Sequence, residues 1–200
     1  FTVTNTADSG PGSLRAAMLA ANASTATIDT IVFDIPDAGP HTIALATFLP
    51  TITDPLYLDG TTQPGYAGTP LIELNGTSAG ATANGLFIGA GGSGSTIRGL
   101  AINRFGTGGA VGAPGGAGIV IQGPGGNRIE RNFIGTDPEG ILARPNRADA
   151  IFVDNSPGNI IGGVSALASN LLSGNSRFGL MLNGAGTLGT SVRNNLIGTN

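Results

Sequence analysis

The sequence contains no cysteine and no lysine, and each absence excludes a class of chemistry. Without cysteine there is no thiol chemistry, and disulfides give no indication of the redox compartment. Without lysine there is no Walker phosphate loop, because that motif ends in Gly-Lys-Ser or Gly-Lys-Thr before a helix. The glycine-rich stretches therefore do not predict nucleotide binding, and we interpret them as turns that need positive φ angles.

Charged side chains are also scarce, at 10% of the residues, and the formal net charge is −3. All nine basic residues are arginine, and no basic patch of the kind that binds nucleic acid is present. The single histidine, His41, stands near no other candidate residue, so we interpret it as structural or simply exposed. We predict no nucleic-acid partner, no cofactor and no metal.

Long apolar runs are missing as well. No run approaches the length that a bilayer-spanning helix needs, which predicts that the chain has no membrane span. The chain opens on Phe1 without a basic region or an apolar stretch that would mark a signal peptide. We expect a soluble mature form or an excised domain.

What the chain has is glycine, proline and short β-branched runs. There are 35 glycines and 12 prolines without a Gly-X-Y register, and 40% of the residues are apolar, which favours one all-β domain with many turns. One segment, Ser13–Asn22, predicts a short amphipathic helix with Ser13 as its N-cap. We predict that residues 1–28 form an N-terminal cap that closes one end of the domain.

A short phrase of sequence is repeated in the second half of the chain. Its copies begin at Gly85, Gly118, Ala150 and Gly179, so their starts differ by 33, 32 and 29 residues. Repeats of this period are typical of solenoids, propellers and arrays, and each copy here supplies about three strand-length runs. We predict a β-solenoid of about five to six three-sided coils over residues 29–200, with the clearest repeats in 85–200.

Strand alternation divides each copy into an inner and an outer set. The pairs on either side of the central residue are predicted to face the interior: Leu86 and Ile88, Ile119 and Ile121, Ile151 and Val153, and Leu180 and Leu182. The central residues are predicted to form an outer apolar stripe: Phe87, Val120, Phe152 and Met181. Such a stripe contacts a sugar face or another rod, or a folded-back loop covers it.

Asparagines recur at one turn of the repeat. Asn132, Asn170 and Asn195 are each followed by two apolar residues. Stacked asparagines hydrogen-bond along a ladder, so we predict a structural ladder rather than a catalytic role. Leu100 takes the matching place in the preceding copy, and the ladder is therefore expected to begin at Asn132.

The loop at 137–147 is the main candidate for chemistry. It carries Asp137, Glu139, Arg144 and Arg147, and Asp149 and Asp154 flank the next strand. Paired carboxylates perform glycoside hydrolysis, and a cluster of carboxylates and arginines binds an acidic sugar or calcium. A solvated surface loop explains the same charges, and we favour it because no dense aspartate cluster recurs on one strand face.

Several segments carry a family resemblance: Asn5-Thr-Ala-Asp-Ser-Gly-Pro-Gly-Ser-Leu-Arg15, Asp29-Thr-Ile-Val-Phe33, Asp59-Gly-Thr-Thr-Gln-Pro-Gly-Tyr66 and the Asn-x-Ile-Gly-Thr turns. The chain resembles large extracellular bacterial proteins with right-handed parallel β-helix repeats. The resemblance implies a right-handed parallel β-helix that is secreted or attached to the cell surface and serves as a stalk or an adhesive module. It reaches no catalytic signature of the pectin-degrading families.

The end of the chain suggests a partner. The last phrase is complete, and no second amphipathic helix follows it, so we expect further coils of a parent chain or a second copy to cover the last strands. Our first hypothesis is a non-catalytic extracellular structural or adhesive module that assembles end to end or belongs to a longer stalk. The alternative is a polysaccharide-binding or polysaccharide-degrading protein, a lyase or glycoside hydrolase, that uses the loop at 137–147.

Overall fold

The computed structural model of the chain describes residues 1–24, 28–109 and 115–198. In these residues there is one α-helix, α1 (Leu14–Ala23), where the sequence predicts a helix over 13–22. The Ser13 side chain accepts a hydrogen bond from the Ala16 N–H, which satisfies one of the free donors of the first turn. The face predicted to be apolar is buried: Leu14, Ala17, Met18 and Ala21.

The other regular elements of the described residues are short. In chain order the strands are β1 (Thr2–Val3), β2 (Asp29–Phe33), β3 (His41–Ala44), β4 (Leu56–Asp59), β5 (Ile72–Asn75), β6 (Leu86–Ile88), β7 (Thr96–Arg98), β8 (Leu100–Asn103), β9 (Ile119–Gln122), β10 (Arg128–Glu130), β11 (Phe133–Ile134), β12 (Ile151–Asp154), β13 (Ile160–Gly162), β14 (Leu171–Leu172), β15 (Leu180–Asn183), β16 (Ser191–Arg193) and β17 (Leu196–Ile197). Single turns of 3-10 helix occur at Gly60–Thr62, Ala90–Gly92, Ala166–Ala168 and Ala185–Thr187.

The strands form three sheets whose strand pairs are parallel. Sheet A has the order β1-β2-β4-β7-β10-β13-β16, sheet B the order β17-β14-β11-β8-β5-β3, and sheet C the order β15-β12-β9-β6. From β6 to β17 the chain visits sheets C, A and B in that order four times, and we call each such passage a round. Each strand therefore lies beside its counterpart in the preceding round. The prediction of a mostly β, parallel, repeating structure is confirmed.

The repeated phrase forms sheet C, and its copies are aligned residue by residue. The central residues pair across the sheet in the order Phe87, Val120, Phe152 and Met181. The flanking residues of the first three copies lie in the core, at 1% exposure or less: Leu86, Ile88, Ile119, Ile121, Ile151 and Val153. Alternation along the strand therefore places the stripe on the opposite, outer face of the sheet.

The last copy of the phrase differs from the other three. Leu180 is partly buried and packs against the core, but Leu182 is 42% exposed although it pairs with the fully buried Val153. Leu182 therefore shares the register of the inward-facing residues, but no further described strand covers it. The reason is geometric, because β15 is the last described strand of sheet C and only β12 lies beside it.

The sequence of residues 49–53 has the length and composition of a strand, but this segment does not form an extended strand. Only Ile52 makes a bridge there, to Ile88 of β6. Pro50 and Pro55 stand on either side of it, and proline has no N–H to donate to a sheet. The bridge nevertheless places this segment where an earlier member of sheet C would lie.

Two glycines of the phrase are needed for close packing rather than for a positive φ angle. A Cβ atom on Gly85 would lie 2.6 Å from Cγ2 of Ile102 in sheet B, and one on Gly118 would overlap Cγ2 of Ile134 in the same sheet. Real Cβ atoms do not approach so closely. Sheets B and C therefore meet tightly at this corner, and the glycine in the phrase is a packing requirement.

The segment that carries the family resemblance joins the N-terminus to the rest of the fold. Arg15 on α1 donates to the Asp8 carboxylate, with Nη2 2.6 Å from Oδ1, and to the Phe48 carbonyl at 2.7 Å. Helix α1 packs against β1 and β2, which form one end of sheet A. The Asp and Arg of this motif thus fix the helix at that end of the molecule.

Candidate functional site

The outer stripe of sheet C is partly open to solvent. Val120 at its centre is only 5% exposed and packs with Ala117 and Ala148, while Phe87 and Phe152 pack against this cluster and stay partly buried. Ala117, Val120 and Ala148 form a shallow apolar surface, which we call the floor, and the rings of Phe87 and Phe152 lie beside it. Among the described residues, the stripe is thus buried at Val120 and partly open at Phe87 and Phe152.

A groove of about 410 Å³ runs over this floor. Its lining residues include Asn84, Phe87, Ala117, Val120, Gln122, Ala148, Asp149, Phe152 and Arg177. A second groove of about 240 Å³ shares Asn84 and Phe87 with it and continues to Phe48, Leu49 and Thr51. Ligand clefts in proteins have volumes of about 300–1,000 Å³, so the combined groove is large enough for a small molecule or part of a polymer.

A carboxylate and a guanidinium border the groove on one side. Asp149 is almost fully buried, and its Oδ1 accepts a hydrogen bond from the Phe178 N–H at 3.1 Å. Its Oδ2 lies 3.6 Å from Nη1 of Arg177, whose guanidinium carbon is 5.3 Å from the centre of the Phe178 ring. Asp149 is therefore anchored to the next round through one oxygen and faces Arg177 with the other.

A row of amides and one carboxylate borders the stripe on the other side. Gln122, Asp154 and Asn183 pair across sheet C, so they form a column parallel to the stripe. Gln122 donates to Oδ2 of Asp154 at 3.1 Å, and Asn183 donates to Oδ1 at 2.9 Å. The groove thus has an apolar centre and polar sides.

The loop at 137–147 lies elsewhere, on sheet B. Oδ1 of Asp137 accepts hydrogen bonds from the Ile141 and Leu142 N–H groups, at 2.9 and 3.1 Å. The loop packs over the outer face of this sheet, because the Cβ position of Gly140 is only 3.0 Å from the side chains of Phe133 and Leu171. Asp137 is therefore a structural residue of this loop.

The remaining charged residues of that loop have different surroundings. Glu139 is exposed, whereas Arg147 is buried and donates to the carbonyl oxygens of Gly106 at 2.9 Å and Gly115 at 3.0 Å. Arg144 is partly buried, and its backbone N–H donates to the Gly135 carbonyl at 2.7 Å. The structure does not bring these side chains together with Asp149 and Asp154 into one site.

The spacing of Asp149 and Asp154 does not suit a pair of hydrolytic carboxyl groups. Asp149 lies two residues before β12 and Asp154 is its last residue, and the three residue steps of β12 alone span roughly 10 Å. Each carboxylate is also tied to a different residue of the next round, Phe178 and Asn183, which are five positions apart. Glycoside hydrolases hold the two groups about 5–9.5 Å apart. Across the described ranges, no group of three or more His, Asp or Glu side chains is placed to hold a metal ion.

A charged cluster that the sequence analysis missed lies on sheet A. Arg98 donates to both oxygens of Asp59, at 2.9 and 2.7 Å, and its guanidinium carbon lies 5.0 Å from the centre of the Tyr57 ring. Burial alone would raise the pKa of the Asp59 carboxyl, but hydrogen bonds from Arg98 and Thr61 outweigh burial and hold the pKa below its ordinary value. The sequence gives only a weak indication of this pair. Asp59 and Arg98 are 39 residues apart, and they become neighbours only when β4 and β7 are paired.

The asparagines form hydrogen-bonded columns. Asn132 donates from its backbone N–H to Oδ1 of Asn170 at 3.0 Å, Asn170 donates to Oδ1 of Asn195, and Oδ1 of Asn132 accepts from the Leu100 N–H. A second column, Asn127 to Asn159, stands at another corner and was missed by the sequence analysis. Its signal was available, because the two asparagines are 32 residues apart and each precedes a strand.

The chain was compared with protein-family models and with curated proteins. No protein-family model matches the chain, and no curated protein matches it. In the part of the chain that the structure describes, no helix is long and apolar enough to cross a membrane.

Proposed function

We propose that the chain is a right-handed parallel β-helix module that acts as a non-catalytic adhesive or structural part of a secreted or cell-surface protein. The open groove along the stripe carries this proposal, because an exposed apolar surface with polar borders marks a contact site. The β-helix is supported by the repeated visit to three parallel sheets and by the strong preference of parallel crossovers for the right hand. The extracellular location is supported by the resemblance of the Asn5–Arg15 segment.

The absence of catalysis is supported by how the candidate carboxylates are used. Asp137 binds backbone N–H groups of its own loop, and Asp149 binds the backbone of the next round. Asp154 accepts hydrogen bonds from two amide side chains. A general acid or nucleophile needs free access to the substrate at a fixed distance from its partner, and these three residues serve packing instead.

The last described strands supply a second contact surface. Leu182, Val192 and Ile197 are at least 38% exposed, yet they pair with Val153, Ile161 and Leu172, which are fully buried. Side chains of interior type at an exposed sheet end favour the addition of another round of strands. For the chain of 200 residues in isolation, the strand donor is a second copy of the same chain.

An adhesion assay with a blocked groove tests the proposal. Val120→Arg places a long charged side chain on the groove floor and is expected to lower the binding of protein-coated beads to polysaccharide or matrix-glycoprotein surfaces at least tenfold. The matched control is Val164→Arg, because Val164 is 84% exposed and does not line the groove. If Val120→Arg does not fold, Gln122→Trp blocks the groove from a half-exposed position.

Two results would overturn the proposal. The wild-type beads adhere to none of the surfaces, or the wild-type protein releases reducing or unsaturated sugars from the polysaccharide coating. The first result removes the adhesive function, and the second makes the protein an enzyme.

A further inference from the structure

We infer that the groove on sheet C binds a neutral polysaccharide chain that lies along the stripe, across the strands. This inference rests on the proposed adhesive function and adds the chemical class of the ligand and its direction. It follows from three properties of the groove: the spacing of its rings, the chemistry of its two borders and its charge.

The aromatic rings are spaced along the direction in which the strands stack. Phe87 and Phe152 occupy the same register position two strands apart, with Val120 between them, which separates their backbones by roughly 10 Å. Phe48 lines the adjoining groove together with Phe87. A linear ligand that runs across the strands contacts both Phe87 and Phe152, whereas a ligand aligned with one strand contacts only one of them.

The rings and the floor match the C–H face of a sugar ring. An aromatic face attracts C–H groups and offers them a large apolar area. The floor of Ala117, Val120 and Ala148 leaves the Phe87 and Phe152 rings partly exposed on either side of it. A flat saccharide ring can therefore lie over the floor and contact a phenylalanine ring.

The two borders match the hydroxyl groups at the edges of such a ring. On one side the half-exposed guanidinium of Arg177, which faces the buried Asp149 carboxylate, offers donors. On the other side Gln122, Asp154 and Asn183 offer both donors and acceptors. A purely apolar ligand, such as a lipid chain or an apolar peptide helix, would remove water from these polar groups. It would offer no hydrogen bonds in place of those that the groups make to water. A hydroxyl-rich ligand satisfies both borders and the apolar floor.

The charge of the groove favours a neutral ligand over an acidic one. Two carboxylates, Asp149 and Asp154, flank the stripe, and the one guanidinium that lines the described groove, that of Arg177, already faces Asp149. The chain as a whole carries a net charge of −3. Like charges repel across a partly desolvated groove, so uronic-acid polymers are expected to bind poorly.

Binding is tested with soluble oligosaccharides of matched length. Isothermal titration of the full chain uses hexasaccharides of β-1,4-glucose, β-1,4-mannose and α-1,4-glucose as neutral probes, and a hexasaccharide of galacturonic acid as the acidic probe. At least one neutral probe is expected to bind, and the acidic probe is expected to bind at least tenfold more weakly.

Variants locate the ligand in the groove. Phe152→Ala and Phe87→Ala are each expected to weaken binding of the neutral probe about tenfold. A tenfold change in Kd corresponds to about 1.4 kcal/mol, which is the size of effect expected when one ring contact and its buried area are lost. Phe152→Tyr keeps the ring and is expected to bind like the wild type, which controls for folding.

Phe1→Ala, at an exposed phenylalanine that does not line the groove, is the matched control. Asp149→Asn, which keeps an acceptor for the Phe178 N–H, is expected to improve binding of the acidic probe.

The outcomes separate this inference from the proposed function. If beads adhere and Val120→Arg abolishes adhesion while no neutral probe binds, the ligand class is wrong and the adhesive function stands. If the acidic probe binds more tightly than every neutral one, or if Phe87→Ala and Phe152→Ala bind the neutral probe normally, the inference is overturned. If the wild type neither adheres nor binds any probe, both proposals fail.

Discussion

Glu73 shows how single residues of this chain use their charge. It lies in β5 and is 6% exposed, and its carboxylate accepts hydrogen bonds from Thr42 at 2.6 Å, Asn103 at 2.8 Å and Arg104 at 2.8 Å. Burial alone would raise the pKa of Glu73, but these hydrogen bonds outweigh burial and hold the pKa below its ordinary value of 4.5. The ionised carboxylate therefore stabilises the fold.

This pKa shift predicts a loss of stability in acid. Because the pKa of Glu73 is lower in the folded than in the unfolded chain, its contribution is present well above pH 4.5 and is lost as the pH falls through the folded-state pKa. Glu73→Gln is expected to lower the free energy of unfolding by about 1–3 kcal/mol at pH 7 and to flatten its acid dependence. Urea unfolding at pH 7 and pH 3 measures both effects. The exposed Glu139→Gln is the control, and an equal change in both variants contradicts the assignment.

The asparagine ladder shows what the sequence can specify at the scale of a residue. Asn132, Asn170 and Asn195 could be identified because each starts the same apolar turn phrase. The second column, Asn127 and Asn159, was not predicted because it has no shared apolar phrase. Asn127 is followed by the exposed Arg128, and Asn159 is followed by the half-buried Ile160. Hydrogen bonds between rounds depend on register, and register becomes visible only when the strands are paired.

The ladder predicts graded effects of one substitution. Asn170→Ala removes the acceptor of the Asn132 N–H and the donor to the Ile129 carbonyl, and each buried group left without a partner costs about 1–3 kcal/mol. Asn195→Ala acts at the other end of the same ladder, where the side chain is only partly buried and water can replace the lost bonds. We expect Asn170→Ala to lower Tm clearly more than Asn195→Ala does, as measured by calorimetry. Equal effects would mean that burial does not set the strength of the ladder.

At the scale of elements, the loop at 137–147 is a cover for sheet B. Its residues fold back so that Gly140 approaches Phe133 and Leu171, and Thr136 and Ala143 form an antiparallel bridge. The sequence identified this loop by its charges but could not show what it packs on, because the apolar row beneath it lies on two different strands. Charge in a loop is therefore a poor guide to chemistry when the same side chains also bind the loop's own backbone.

Removing the Asp137 carboxylate is expected to loosen this cover. Asp137→Ala removes two hydrogen bonds to the Ile141 and Leu142 N–H groups, so these amides should exchange with deuterium at least tenfold faster. Amides of sheet C should keep their protection, because they lie in a different sheet. Glu139→Ala is the control and should leave the exchange of the loop unchanged. Unchanged exchange in Asp137→Ala would contradict the structural role of this carboxylate.

For the whole molecule, the repeat predicted much of the architecture. The copies at 85, 118, 150 and 179 pair in register, and their order gives the order of strands in sheet C. The groove could not be predicted in the same way. Its borders include Asp149 and Arg177, which lie outside the sheet strands and are positioned by contacts with Phe178 of the next round.

The exposed end of the strands predicts association of the isolated 200-residue chain. Sedimentation velocity over a range of concentrations is expected to show assemblies larger than a monomer, because interior-type side chains on β15 and β17 remain exposed. Leu182→Glu combined with Ile197→Glu should yield a monomer, since inward-pointing charges block edge pairing. Leu188→Glu, at a residue that is 77% exposed and lies outside the strands, is the control. A wild-type chain that stays monomeric at every concentration contradicts this prediction.

The alignment of strands in sheet C also links the length of the molecule to the length of its groove. Each round adds one strand to this sheet and one position to the stripe, and each round after the first also adds one residue to the polar column. Duplicating a round in the gene would extend the groove by one strand spacing, about 4.8 Å, without altering its cross-section. Related proteins with more or fewer rounds would then bind ligands of different length, while the chemical class of the ligand stays the same.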